Sequence, residues 1–499
     1  MKAFLMHRSR DFDLNQPLPE NEADLCQDLE LDTLFGTMAQ GDKFLGGVAK
    51  VAVLCGLNME VDEIIFRQDV LKDCLSNSDV IKNIYSVAVK AVELEKGIYL
   101  SIFSRYPVTI MHRSLTLLGM QTEMLRKLRD IADEYAGKFS SDGFSLFFDV
   151  IKDEISDEYF KEMGAYLAEL ELPKGFLVSA QLGAGNRGIS YTLRKPTKSK
   201  DPWIKRIFQK APISYTLHIG DRDENGAKAL SELKDRGANL VANSLAQAAD
   251  HVTSFFEMLR IELAFYMGCL NLYEQLMQKS RPICFPVPTA PDQRKHRFAG
   301  LYDVCLTLIS RSPVTGNDGV ADGKDLVVIT GANQGGKSTF LRSVGVCQLM
   351  MQSGMFVPAE SYCANICDAL FTHYKREEDS TMTSGKLDEE LSRFSHQADL
   401  ITSHSMLLFN ESFAATNERE GSEIARQITR ALIEKHVKTF FVTHLYDFAE
   451  SIYAQRLKNA MFLRAERCDD GRRTFKLIEA APQPTAYGTD LYNEIFLIP

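Results

Sequence analysis

The stretch from Asp325 to Phe340, DLVVITGANQGGKSTF, restricts what this chain can fold into more than any other. Leu326, Val327, Val328 and Ile329 form a short apolar run, rich in β-branched residues, of the kind that makes a strand covered on both faces. It leads into Gly331–Ser338, GANQGGKS, with the spacing G-x-x-x-x-G-K-S, and a helical pattern follows from Thr339 to Met351. Glycines let successive backbone N–H groups curl round phosphate oxygens, and the start of the next helix adds its positive end. Lys337 is then placed to reach the β- and γ-phosphates, and the Ser338 hydroxyl to be a ligand of Mg²⁺. The plainer reading is a glycine-rich turn that binds nothing; the strand before it, the helix after it and two motifs downstream argue against that.

The first of these motifs is Ser405–Glu411, an apolar strand pattern ending in Asn410 and Glu411. A carboxylate pair is usual there, the first member serving the Mg²⁺ shell and the second, here Glu411, polarising the attacking water. The other is Phe440–His444, a strand pattern ending in a histidine able to sense or orient a γ-phosphate. A strand-end histidine is often only structural, but the order loop, carboxylate, histidine favours a functional one.

At 499 residues the chain is too long for a single core and divides into about three or four units. No apolar run approaches the ~20 residues of a membrane helix, and the N-terminus has no apolar core for a signal peptide, so the expected setting is cytoplasmic, without membrane. Ten cysteines occur without a C-x-x-C pair, which speaks against a disulfide framework or zinc site; Cys363 and Cys367 read as packed thiols. A net charge of −10 disfavours a chain that coats nucleic acid along its whole length, while leaving room for a local basic patch.

Ahead of the phosphate-loop motif, residues 1–27 are polar with little periodicity and contain Pro17 and Pro19; they read as a tether. From Asp28 the pattern is helical. Leu117, Leu118, Met124, Leu125, Leu128, Ile131, Ala132 and Tyr135 recur at three- and four-residue spacing, a single stripe. A second stripe begins at Leu245, after the capping candidates Asn243 and Ser244, and runs to Leu276. Both read as core packing between long arms. Between them, segments 176–182, 188–193 and 213–219 read as strands separated by turns. This insertion holds the sole tryptophan, Trp203, and a basic run in an otherwise acidic protein: Arg187, Arg194, Lys195, Lys198, Lys200, Lys205, Arg206 and Lys210 against the single acid Asp201 from Asn186 to Lys210. Basic side chains around an aromatic suit a phosphate backbone; a solvated surface loop is the alternative. After the second arm, four prolines between Pro282 and Pro291 mark a linker.

The order GANQGGKST, QSGMFVPAE (352–360), DSTMTSGKLDEEL (379–391), LLFNESFAATNEREG (407–421) and FFVTHLYDFAE (440–450), closing with AYGTDLYNEIF (486–496), resembles the ATPase domain of the MutS family of DNA mismatch-repair proteins. Upstream, LELDTLF (29–35) and IIFRQDVL (64–71) are similar to that family's core and lever region. The resemblance implies an α/β P-loop ATPase domain, ABC-like, C-terminal to a mainly α-helical lever and core region with a small β-containing clamp-like insertion. Its expected layout is a tether (1–27), helical core and first lever arm (28–174), clamp-like β insertion (175–240), second lever arm (241–282), linker (283–324) and ATPase domain (325–499).

It further implies a homodimer with two composite ATP sites. Gly331, Asn333, Gly335, Gly336, Lys337, Ser338 and Thr339 would hold nucleotide, and Ser338 with Asn410 the Mg²⁺. Glu411 would be the catalytic carboxylate and His444 the switch histidine. Ser384, Gly385 and Lys386 would form the signature loop offered to the partner's site, although Leu387 and Asp388 depart from that loop's usual residues. The DNA-contact candidates are Arg194, Lys195, Lys198, Lys200, Lys205 and Arg206. Asn410 stands where the family has Asp, which predicts weaker Mg²⁺ affinity and slower turnover, with ATP binding as the main switch. Phe413–Ala415 replaces a small glycine-containing run. The family's mismatch-reading and connector domains have no counterpart among these motifs, and Phe255–Glu257 matches the mismatch wedge only as a string within the second arm. The expectation is a short member that embraces duplex or branched DNA by shape and phosphate contact, alongside repair or recombination partners. Two alternatives stand beside it: an ATP-driven conformational switch acting on a protein partner without DNA, and a largely structural relative that binds ATP weakly.

Overall fold

The computed structural model describes residues 1–98, 106–172, 175–195, 215–220, 222–376, 385–468 and 472–483. They form two compact units, one of Met1–Ala3, Asp79–Phe139 and Ser145–Arg260, the other of Phe4–Ser78, Ser140–Phe144 and Ile261 onward. No helix of the described residues is long and apolar enough to cross a membrane.

The first unit is mainly helical. Its helix Pro107–Tyr135 starts on a proline, which lacks only an N–H that the first turn leaves unbonded anyway, and buries Leu117, Leu118, Leu125, Leu128 and Ile131 on one stripe. Met111 and Leu115 of this helix pack with Ala238 and Ala242 of the helix Glu224–Gln278. Buried Gln121 donates to Thr253 Oγ1 at 2.7 Å, a polar tie inside an apolar seam. The helix Glu224–Gln278 has 55 residues, about 80 Å of rise. It begins some twenty residues before the expected start at Leu245. Ser244, a capping candidate by sequence, lies inside it and returns its hydroxyl to the Leu240 carbonyl. Phe255 and Phe256 are buried on it, as core.

Two strands of the insertion form an antiparallel hairpin, β1 (Val178–Leu182) with β2 (Gly188–Leu193). The third expected strand, 213–219, is not formed in its described part: residues 215–219 make no ladder, and Tyr215 and Leu217 are almost fully exposed.

The second unit carries two sheets. The strands are β3 (Val287–Thr289), β4 (His296–Leu301), β5 (Asn317–Val320), β6 (Leu326–Gly331), β7 (Ser361–Asn365), β8 (Leu370–Tyr374), β9 (Met406–Asn410), β10 (Lys438–Val442), β11 (Ala460–Arg467) and β12 (Arg473–Glu479). The larger sheet has the order β12-β11-β6-β10-β9-β8, parallel except for β12. Leu326–Ile329, Met406–Phe409 and Phe440–Val442 are essentially inaccessible, as continuous apolar runs in a parallel sheet should be. The smaller sheet has the order β3-β7-β4-β5.

Two segments read as connections are structural. Residues 283–324 supply β3, β4, β5 and the helix Val304–Ile309, and are not a linker. From Phe4 onward the expected tether is bound into the second unit: Leu5, Met6 and Phe12 are buried. The buried Glu262 carboxylate accepts the backbone N–H groups of Leu5 at 2.6 Å and Phe12 at 3.2 Å, and Tyr266 donates to the Leu5 carbonyl.

Candidate nucleotide-binding site

Strand β6 ends in the glycine-rich turn, and the helix Lys337–Gln352 leaves it. Gly335 has no room for a side chain: a Cβ there would lie 2.7 Å from Ala465 Cβ and 2.8 Å from the Ala332 carbonyl oxygen. Because β11 runs beside β6, with Ala465 opposite Gly331, this close approach is built into the sheet order.

Lys337 is buried, and its ammonium donates to the carbonyls of Gly331 at 2.8 Å and Ala332 at 2.9 Å. Burial lowers its pKa to about 8; Glu411 opposes that shift and Arg473 adds to it. Ser338 Oγ donates to Asn410 Oδ1 at 2.8 Å, bringing together the two expected metal ligands. Glu411 follows the end of β9 in a left-handed backbone conformation (φ +57°), which costs a non-glycine residue roughly 1 kcal/mol. Its N–H donates to the Val442 carbonyl at 2.9 Å, which holds that conformation. His444 Nε2 lies 2.7 Å from Glu411 Oε1, and this hydrogen bond holds the Glu411 carboxyl below the usual carboxylate range. Parallel pairing of β6, β10 and β9 brings all these groups to the C-terminal ends of adjacent strands, where open α/β sheets place their ligands.

They face a cleft of about 580 Å³ lined by Asn333, Gln334, Gly335, Gly336, Lys337, Ser338, Thr339, Glu411 and His444. Another part of its wall comes from residues to which the sequence assigns no site role: Leu306, Pro313, Val314 and Thr315, together with Phe475 of β12. Buried Asn317 ties that wall together by accepting the Leu477 N–H at 2.7 Å. Asp303 caps the short helix there through the Leu306 N–H at 2.9 Å and is paired with Arg342. An aspartate directly ahead of the apolar run from Val304 is a helix-start signal that would have flagged this segment as structured.

The other expected site residues lie elsewhere. Gly385 is the N-cap of the helix Lys386–Ala398, and Lys386 lines a separate crevice with Lys375, Arg376, Glu389 and Arg393; Ser384 lies outside the described residues. Phe413 is fully buried against His373, Phe394, Phe409 and Phe441. In the first unit, Arg194 donates to Ser179 Oγ at 2.8 Å and Lys195 pairs with Glu169 on the surface. Lys198, Lys200, Lys205, Arg206 and Trp203 lie outside the described residues, as does the closing motif 486–496.

Two family models match this chain: the MutS2 N-terminal domain over residues 59–279, and MutS domain V over residues 327–497. Among curated relatives, the human MutS protein homolog 4 is 28% identical over 249 residues, 48% of this chain and 25% of its own length. The DNA mismatch repair protein MutS of Synechococcus sp. (strain CC9902) is 26% identical over 321 residues, 62% of this chain and 34% of its own. The protein of that name from Streptococcus pneumoniae (strain Hungary19A-6) is 25% identical over 361 residues, 67% and 41% of the respective lengths. This chain thus spans well under half the length of these relatives. Domain V falls on the part carrying the cleft and the other model on the helical part ahead of it, and the chain belongs to the MutS family.

Proposed function

We propose that the protein is an ATP-dependent DNA-binding protein of the mismatch-repair or recombination type, a cytoplasmic homodimer that works as a clamp switched by ATP binding and slow hydrolysis. The observation that carries this reading is the convergence of Lys337, Ser338, Glu411 and His444 on one cleft. To meet β- and γ-phosphates, the Lys337 ammonium exchanges the Gly331 and Ala332 carbonyls for phosphate oxygens. Glu411 polarises a water, and His444, bonded to that carboxylate, couples its position to the terminal phosphate.

The Ser338 hydroxyl and Asn410 amide oxygen are hard donors of the kind Mg²⁺ takes, so the pair fits the ion, but as neutral ligands. When bound, the ion neutralises phosphate charge; with Asn410 in place of a carboxylate it is held weakly, which supports slow hydrolysis. Gly385 and Lys386, which do not line their own cleft, suit a role in completing the partner's. The helical arms and the β1–β2 hairpin act as lever and clamp-like insertion, with DNA contacts from Arg194, Lys195, Lys198, Lys200, Lys205 and Arg206. The Lys195–Glu169 pair is solvent-exposed and so weak enough to be exchanged for phosphate.

Duplex, mismatched, forked and four-way DNA tested by gel shift, with and without ATP and Mg²⁺, examine this reading. The expected result is ATP-modulated, salt-sensitive binding that weakens on neutralising Lys195, Lys198, Lys205 and Arg206. A protein that remains monomeric and retains no ATP at millimolar concentration would sink it. A second reading, an ATP-driven switch that acts on a protein partner without DNA, is favoured by the exposed Leu182, Ile189, Leu233 and Leu240 of the first unit. ATP binding without a shift on any of the four DNAs would select it.

A further inference from the structure

The charges around the cleft are unusual on both sides. Towards the metal position, Ser338 and Asn410 present neutral oxygens. Towards the crown of the phosphate loop stands Arg473, the first residue of β12. Its Nη1 donates to Gln334 Oε1 at 3.0 Å, and its Nε is buried with no acceptor. Among the described residues it has no carboxylate partner. Gln334 itself faces the cleft, on a left-handed backbone (φ +57°), and so does Phe475, two positions along β12 from Arg473. The Arg473 charge lies close enough to act on Lys337, the loop's second cation.

Among the described residues one neutral amide oxygen serves this guanidinium, a poor match for a cation. Hydrogen bonds from a cation to an anionic oxygen are about twice as strong as those between neutral groups, and the planar fork of arginine fits two phosphate oxygens at once. Two cations at the loop repel each other until an anion arrives between them. Phosphate oxygens at the loop would relieve that repulsion and offer Arg473 a better acceptor than Gln334.

We propose that Arg473 is a phosphate-binding residue of this site, supplied by the same chain. It exchanges Gln334 for the terminal phosphate of the nucleotide and carries part of the charge neutralisation that a weakly held cation leaves to the protein. The proposal rests on the nucleotide-site reading above and adds to it a ligand for the last phosphate and a reduced need for divalent cation.

The test uses the full-length chain and fluorescent-nucleotide displacement by ATP, ADP and AMP, each in EDTA and in Mg²⁺, for the parent, Arg473→Gln, Arg473→Lys and Lys337→Ala. In EDTA, Arg473→Gln should weaken ATP by about tenfold, the loss of one charge-assisted contact, with a smaller loss for ADP and none for AMP. Mg²⁺ should narrow the ATP difference, and Arg473→Lys should recover part of it. An arginine that merely shapes the loop through Gln334 would weaken ATP and ADP alike, and that result, or parental ATP binding by Arg473→Gln, overturns the assignment. If Lys337→Ala also binds ATP like the parent, the nucleotide-site reading falls with it. If only Lys337→Ala is impaired, the arginine assignment alone is lost.

Discussion

Lys337 and Lys438 stand at opposite ends of one parallel sheet, the first just beyond the C-terminal end of β6, the second as the first residue of β10. Both are buried, and burial is the main reason both have lowered pKa values, about 8 for Lys337 and about 7 for Lys438. Both point at carbonyl-type oxygens, Lys438 at the Lys295 carbonyl and the Asn365 side chain. The difference is what lies in front of them. Lys337 opens on a cleft of about 580 Å³; Lys438 borders a crevice of about 10 Å³, room for one water at most. A buried ammonium without a carboxylate is an uncomfortable group at either end, but only at the C-terminal end does the fold leave space for an anion to relieve it. A lowered lysine pKa therefore marks a candidate binding group only together with an opening beside it.

The widest separation between the two lysines should appear in nucleotide affinity. Lys337→Ala should weaken ATP about 100-fold, from loss of a charged phosphate contact, while Lys438→Met stays within about twofold of the parent. Calorimetric titration of both variants decides this, and comparable losses in the two would remove the distinction. A smaller contrast should appear in pH dependence. As pH rises past about 8, the ligand-free Lys337 loses its proton, so ATP affinity should fall, towards tenfold per pH unit, with proton uptake on binding. Lys438→Met should leave that profile unmoved; a flat profile in the parent would contradict the burial of Lys337 in the free protein.

A third contrast concerns stability, and here Lys438 should dominate. Its folded-state pKa lies below the ordinary 10.5, so between about pH 7 and that value the unfolded chain holds a proton the folded one has released. Stability from this group therefore rises with pH across the window. Scanning calorimetry of Lys438→Met should show a shallower rise than the parent, and an identical slope would mean the ammonium is better solvated than its surroundings suggest.

What could be read from the chain followed the range of the interactions involved. The phosphate loop, the strands ending at Asn410 and Val442 and the stripe ending at Tyr135 are specified by residues adjacent in sequence, and these stood out. Residues 283–324 did not, because their strands are short and one holds Pro288. A proline is tolerated there since β3 is the edge strand of its sheet, a fact no local pattern reveals. Phe4–Phe12 looked like a tether because its partners, Glu262, Tyr266 and Arg67, lie far along the chain. The long helix was expected to start at Leu245 because residues 224–244 are polar and contain Gly226 and Gly237; Gly237 packs so closely on Val178 that a Cβ would lie 2.7 Å from it. The wall of the cleft is hidden for the same reason: Val314 and Phe475 come to line one cleft only when β5 and β12 are tied together.

At its far end, the helix that begins with Lys337 is not free. Buried Arg67 donates to the Ser353 carbonyl, and Gly354 (φ +81°) has no side chain because a Cβ would sit 2.4 Å from Arg67 Cβ. The helix Val61–Ser76, which carries Arg67, is further tied by Gln68 to the Pro286 carbonyl. A rod clamped at its tail has no slack in which to absorb a push at its head. An axial shift imposed on Lys337 would thus be felt about 24 Å away, at 1.5 Å per residue, by Arg67 and the segment that holds it.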